Sequence, residues 1–168
     1  VLDGFIIPPA CSQDAFEQAV EVLDSRGTGG ARMAIISHEL PDGLVAQIDE
    51  FSVALPTPLI VRSSSVLESA GEWSGAFTSV PEIQRDEIVK AVKSVWATNF
   101  SIEVLDRLKA AGVDPGAALM GVLVQPEIVP DFGGVARIDA HGAVTITAIK
   151  GSPRDLMAGW APGVRATF

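Results

Sequence analysis

The apolar run Leu59-Ile60-Val61 is fenced on its N-terminal side by Pro56-Thr57-Pro58 and ends on a cation, Arg62. So short a run between breakers predicts a buried strand, because proline fixes φ and lacks the N–H that a helix needs. Three hydroxyls follow, Ser63, Ser64 and Ser65, and then a loop of small residues that includes Ser69, Ala70, Gly71, Ser74, Gly75 and Ala76. A guanidinium is a planar fork of donors, and glycines let backbone N–H groups approach an anion without a Cβ in the way. The stretch is therefore a candidate phosphate grip. The same composition also describes an ordinary exit turn.

On either side of this strand the pattern predicts a mixed α+β chain in two lobes. Leu2–Pro9 reads as a strand stopped by Pro8-Pro9, with Ser12 placed to cap a helix whose stripe is Phe16, Ala19, Val20 and Leu23. Gly27-Thr28-Gly29-Gly30 is expected to end that helix. It follows a helix, not a strand, which is the wrong context for a dinucleotide-binding glycine loop. Met33–Ile36 is expected to be a second strand, and Leu44, Ile48 and Phe51 mark a helix from about Asp42. The first third thus reads as alternating strand and helix. A helix is expected over Glu82–Thr98, with Pro81 at its start and Ile88, Val92, Val95, Trp96 and Asn99 inward. Another runs from a Ser101 cap to Gly112 with Ile102, Leu105 and Leu108 inward. Ala118–Gln125, Gly134–Asp139, Ala143–Ile149 and Gly163–Phe168 read as strands of an antiparallel sheet, with a hairpin turn at Asp139-Ala140-His141-Gly142. The expected lobes are residues 1–112, α/β, and 113–168, antiparallel sheet with helices.

The charge balance narrows the function. With 12 basic residues against 21 acidic ones, net −9, the field of the chain repels nucleic acid and anionic membrane. A polyanionic ligand must be met by local donors such as Arg62. No apolar run approaches the ~18–20 residues that span a bilayer, and VLDGFIIPPA carries an acid where a signal peptide is basic. One cysteine, Cys11, excludes an intramolecular disulfide and fits a reducing compartment. The expectation is a cytoplasmic protein.

In this order the segments resemble the nucleotide-binding domain of phosphoenolpyruvate synthases, pyruvate phosphate dikinases and rifampicin phosphotransferases, a variant of the ATP-grasp fold. Gly4-Phe5-Ile6-Ile7-Pro8-Pro9 is similar to the family's P-P-G-F-V-V, with the prolines moved behind the Phe. Val61-Arg62-Ser63-Ser64-Ser65 resembles V-R-S-S-A, and Ser74-Gly75 falls where the family has A-G. Ala91–Ser101 (AVKSVWATNFS) resembles A-V-x-x-C-W-A-S-L-F-S, and Met120–Gln125 with Gly134-Val135 resembles M-A-V-V-V-Q and its later S-G-V. The likeness implies ATP with Mg²⁺ as the cofactors, Arg62 as phosphate clamp and catalytic residue, and Ser63, Ser64, Ser74, Gly75 and Thr78 on the loop that closes over the nucleotide. It also implies that the strand holding Gln125 roofs the nucleotide, and that a phospho-His domain, in the same or another chain, passes the phosphoryl group to pyruvate or another small molecule.

The departures set a second expectation beside the first. The family's G-G-K would lie before Val1, and its metal-holding carboxylates and Q-x-R segment after Phe168. Its G-L-G-E-x-V-V-S-G corresponds to Gly151–Gly159, with Arg154 in place of the acid. The chain therefore reads as an incomplete ATP-binding portion of a phosphotransferase, or alternatively as a non-catalytic binding module derived from one. His38 and His141 have no partner at metal-ligand spacing. Ser74 in GEWSG is not a nucleophile elbow, since the first glycine stands three residues before it. Glu68 and Glu72 either help hold Mg²⁺ on the nucleotide or are solvated loop acids, and Trp73 either stacks on a base or covers an apolar edge.

Overall fold

A computed structural model describes residues 3–70, 73 and 75–168. The chain divides into one unit ending at Glu127 and a second over Ile128–Phe168.

The first unit is built on a four-stranded antiparallel sheet of β1 (Phe5–Ile7), β2 (Leu59–Ser64), β3 (Val80–Ile83) and β4 (Gly121–Pro126), in the spatial order β1-β4-β2-β3. The strand at 121–126 was expected in the later sheet. It pairs instead with both β1 and β2, so the boundary falls after Glu127 and not near 112–117. Strand alternation sends Ile7, Leu59, Val61, Val122 and Val124 to one face, where all five are buried. The helices that cover the core are α1 (Gln13–Ser37), α2 (Asp42–Ser52), α3 (Ile88–Ala97) and α4 (Ile102–Ala111). Phe16 of α1 meets Phe100 edge-to-face at 5.3 Å. The indole N–H of Trp96 on α3 donates to the Met120 carbonyl at 2.9 Å, fastening that helix to the entry of β4.

Local chemistry explains where the elements depart from expectation. Met33–Ile36 is helical, not a strand, because Gly27 takes φ 63° as a single-residue kink and the helix resumes, burying Ala31 and Ile35 four residues apart. The first third therefore lacks the expected strand–helix alternation. Val80–Ile83 is a strand, so Pro81 does not open a helix; β3 is the sheet's edge, where a missing N–H costs no ladder bond. Ser12 caps nothing. Its buried hydroxyl donates to the Pro9 carbonyl at 2.8 Å and accepts the Met120 N–H at 3.2 Å. Ser101 does cap α4, accepting from the Val104 N–H, and Gly112 ends it at φ 67°. Ile102, expected inward, is exposed, and Val104 takes the buried position.

The second unit is a three-stranded antiparallel sheet of β5 (Phe132–Ile138), β6 (Val144–Lys150) and β7 (Val164–Thr167), with a short helix α5 (Arg154–Met157) between the last two. The Asp139–Gly142 turn forms as expected: the Asp139 carboxylate accepts the N–H groups of His141 and Ala143, and Gly142 adopts φ 85°. Among the described residues no helix is long and apolar enough to cross a membrane.

Candidate functional site

The second face of the first sheet is open, and Arg62 stands near its middle. Register places Ile6, Leu123 and Arg62 side by side across β1, β4 and β2. The neighbouring rows pair Gln125 with Ile60 and Gly121 with Ser64. Because paired residues share a face, Arg62, Ser64, Gln125, Ile60, Leu123 and Ile6 form one surface. Arg62 and Ser64 are exposed and Gln125 is half-buried. Among the described residues Arg62 makes no hydrogen bond and no ion pair; the one ion pair there joins Arg107 and Glu103 within α4. The guanidinium is thus displayed on an apolar floor with its donors uncommitted, in a chain whose acids outnumber its bases.

Gln125 is brought close by backbone geometry. A Cβ at Gly4 would lie 2.6 Å from the Val124 carbonyl oxygen and 2.8 Å from the Gln125 Cγ, so only glycine lets β1 begin beside that side chain.

The connection between β2 and β3 is anchored at both ends. Glu68 accepts the Ser63 hydroxyl at 3.2 Å and the Ser65 N–H at 3.0 Å. Ser63 therefore lies on the face opposite Arg62, with its proton already engaged. Glu68 is a clamp on the start of the loop, neither a solvated acid nor a free carboxylate. Further along, Trp73 is buried and stacks on Phe77, with rings 5.9 Å apart and 5° from parallel. It covers an apolar edge and holds the loop down. The Ala76 N–H donates to the Trp73 carbonyl at 3.0 Å, and Gly75 at φ 76° makes the tight turn that this closure requires. Gly75 and Thr78 are exposed on that loop. Ser74 and Glu72 lie outside the described residues.

The structure thus gathers Arg62, Ser64 and Gln125 on one surface, turns Ser63 away, and leaves Gly75 and Thr78 on the adjoining loop. Among the described residues no group of three His, Cys, Asp or Glu side chains is placed to hold a metal ion. Sequence reasoning missed the apolar floor of Ile6, Ile60 and Leu123, although alternation along each strand carries that signal once the pairing is known. A family model described as pyruvate phosphate dikinase, AMP/ATP-binding domain, matches residues 14–159.

Proposed function

The chain belongs to the pyruvate phosphate dikinase AMP/ATP-binding domain family, and from that premise we propose that the open face of its first sheet grips the phosphates of Mg-ATP, with Arg62 as the clamp. The observation that carries this reading is the guanidinium of Arg62, without a hydrogen-bond or ion-pair partner among the described residues, near the middle of that face, in register with Leu123 and two residues along the ladder from the pair that holds Gln125. The donor set fits the ligand. Arg62 offers a bidentate fork to phosphate oxygens, Ser64 a hydroxyl, and Gln125 an amide that both donates and accepts.

ATP, when bound, supplies the phosphoryl group. Arg62 holds the phosphate tail and stabilises the negative charge that spreads over its oxygens as transfer proceeds, the main lever of protein catalysis in this chemistry. Ile6, Ile60 and Leu123 keep water from one side of the donors, where a lower local dielectric strengthens each charged bond. The connection between β2 and β3, with Trp73 stacked on Phe77 and with Gly75 and Thr78 exposed, serves as the lid. The described residues assemble no metal-holding group, so Mg²⁺ enters this reading as the nucleotide's own counter-ion. The acceptor is a histidine of another domain, in the same or another chain, which passes the group to pyruvate or another small molecule.

Arg62→Ala tests the reading by titration calorimetry with Mg-ATP. A charge-assisted bond contributes about 1.5–3 kcal/mol, so the variant is expected to lose roughly tenfold or more in affinity with its melting temperature unchanged. Equal binding by the two proteins removes Arg62 from the site, and no binding by the intact chain favours the non-catalytic module.

A further inference from the structure

The second unit carries an anion site of its own: we propose that Arg137 and Arg165 hold a diphosphate-bearing small molecule between them, over the polar face of the β5–β6–β7 sheet. Register makes this sheet two-sided. Ala136, Ile146 and Ala166 share one face, and Val135, Thr147 and Arg165 form a row on the other, next to the row Arg137, Thr145 and Thr167. The two arginines therefore occupy opposite corners of a rectangle whose middle is lined by threonine hydroxyls. They are separated by two strand spacings across and two residues along, on the order of 12 Å between backbones. Both side chains line one cavity of about 250 Å³, together with Val135, Thr145, Thr147 and Leu156.

The wall of this cavity is built by close approach. A Cβ at Gly133 would lie 2.4 Å from the Pro153 Cδ, and one at Gly163 2.9 Å from the Leu156 Cδ1. Glycine at both positions lets the turn before α5 and the helix itself settle onto the polar face, so Leu156 closes one side of the cavity.

Charge then selects the ligand. No acid lines the cavity, and neither arginine has an ion-pair partner among the described residues. Residues 128–168 hold four basic and three acidic side chains, against eight and eighteen in the rest of the chain. A local excess of positive charge in a strongly acidic protein concentrates anions at that place and discourages them elsewhere. Each guanidinium fork matches two oxygens of one phosphoryl group, so two forks suit two phosphoryl groups, with Thr147 as a central donor and Thr145 as a second one when the Thr167 hydroxyl, 3.2 Å away, donates to it. This inference does not rest on the Arg62 reading; its residues and that surface share no side chain.

The test uses the full chain, labelled with ¹⁵N and titrated with inorganic pyrophosphate, alongside Arg137→Gln, Arg165→Gln and Arg62→Ala. Both substituted arginines of the second unit are exposed, so the folds of those variants are expected to persist, and unchanged spectra of β6 check this. Expected are amide shifts at Thr145 and Thr147, binding that weakens as salt rises, a loss of roughly tenfold or more in each Gln variant, and, in Arg62→Ala, an unchanged affinity as read from the Thr145 and Thr147 amides. The proposal is overturned by silence at millimolar pyrophosphate, by Gln variants that bind like the parent, or by shifts confined to β2 that vanish in Arg62→Ala. The last result would leave the nucleotide reading standing.

Discussion

Glu68 accepts the Ser63 hydroxyl at 3.2 Å with one carboxylate oxygen and the Ser65 N–H at 3.0 Å with the other, so one side chain fixes where β2 stops and the loop starts. The bond on Ser63 also settles the orientation of its neighbours. With Ser63 drawn to one face, Arg62 and Ser64 belong to the other.

Glu68→Ala is expected to destabilise the protein by about 1–2 kcal/mol, the net worth of two charge-assisted bonds weakened by their partial exposure to solvent. Urea unfolding measures the loss, and hydrogen exchange at the Ser65 amide should quicken while that of β4 stays slow. Unchanged exchange at Ser65 would mean that the loop start is held by something else.

Trp96→Phe removes the donor to the Met120 carbonyl and leaves a void in a fully buried site. The expected cost is about 2–4 kcal/mol, combining a stranded buried acceptor with lost packing. The melting midpoint should fall, and the amides of Gly121 and Val122 should exchange faster, because the lost bond is one of two, with that from the Met120 N–H to Ser12, that seat the entry of β4.

Burial raises the pKa of the Cys11 thiol. At any given pH the folded protein then holds less thiolate than a free cysteine does, so alkylation by iodoacetamide at mildly alkaline pH is expected to be slower than that of a model thiol and to rise towards it on unfolding. The linkage runs the same way. The unfolded chain loses this proton first, so stability from this group is full below the unfolded value and declines as pH rises through the folded one. Alkylation at the free-thiol rate in the folded state would contradict this.

Much of the architecture was legible because its causes are local. Ser101 and Gly112 bound α4 through a side-chain acceptor and a left-handed φ that any helix end needs. Ile88, Val92, Val95 and Trp96 declared the inward stripe of α3 by spacing alone. Other elements depend on what lies beside them. Met33–Ile36 carries an apolar run that suits strand or helix equally, and only the burial of Ala31 and Ile35 decides for helix. Pro81 reads as a helix start until the strand it sits in proves to be an edge. The membership of β4 in the first sheet rests on pairing Ile7 with Val122 and Ser64 with Gly121, partners dozens of residues apart, which no local pattern encodes. At the site, Arg62 was visible at the end of an apolar run. The partner that turns Ser63 away, the stack that buries Trp73, and the register that brings Gln125 beside Arg62 are tertiary facts.

Where ATP touches the protein decides whether this sheet holds the nucleotide. Titrating ¹⁵N-labelled protein with Mg-ATP should shift the Arg62 side-chain Nε–H, the Gln125 side-chain amide and the Ser64 backbone amide together, with one affinity. Shifts absent from those three groups while ATP binds elsewhere would contradict the placement of the nucleotide on this sheet.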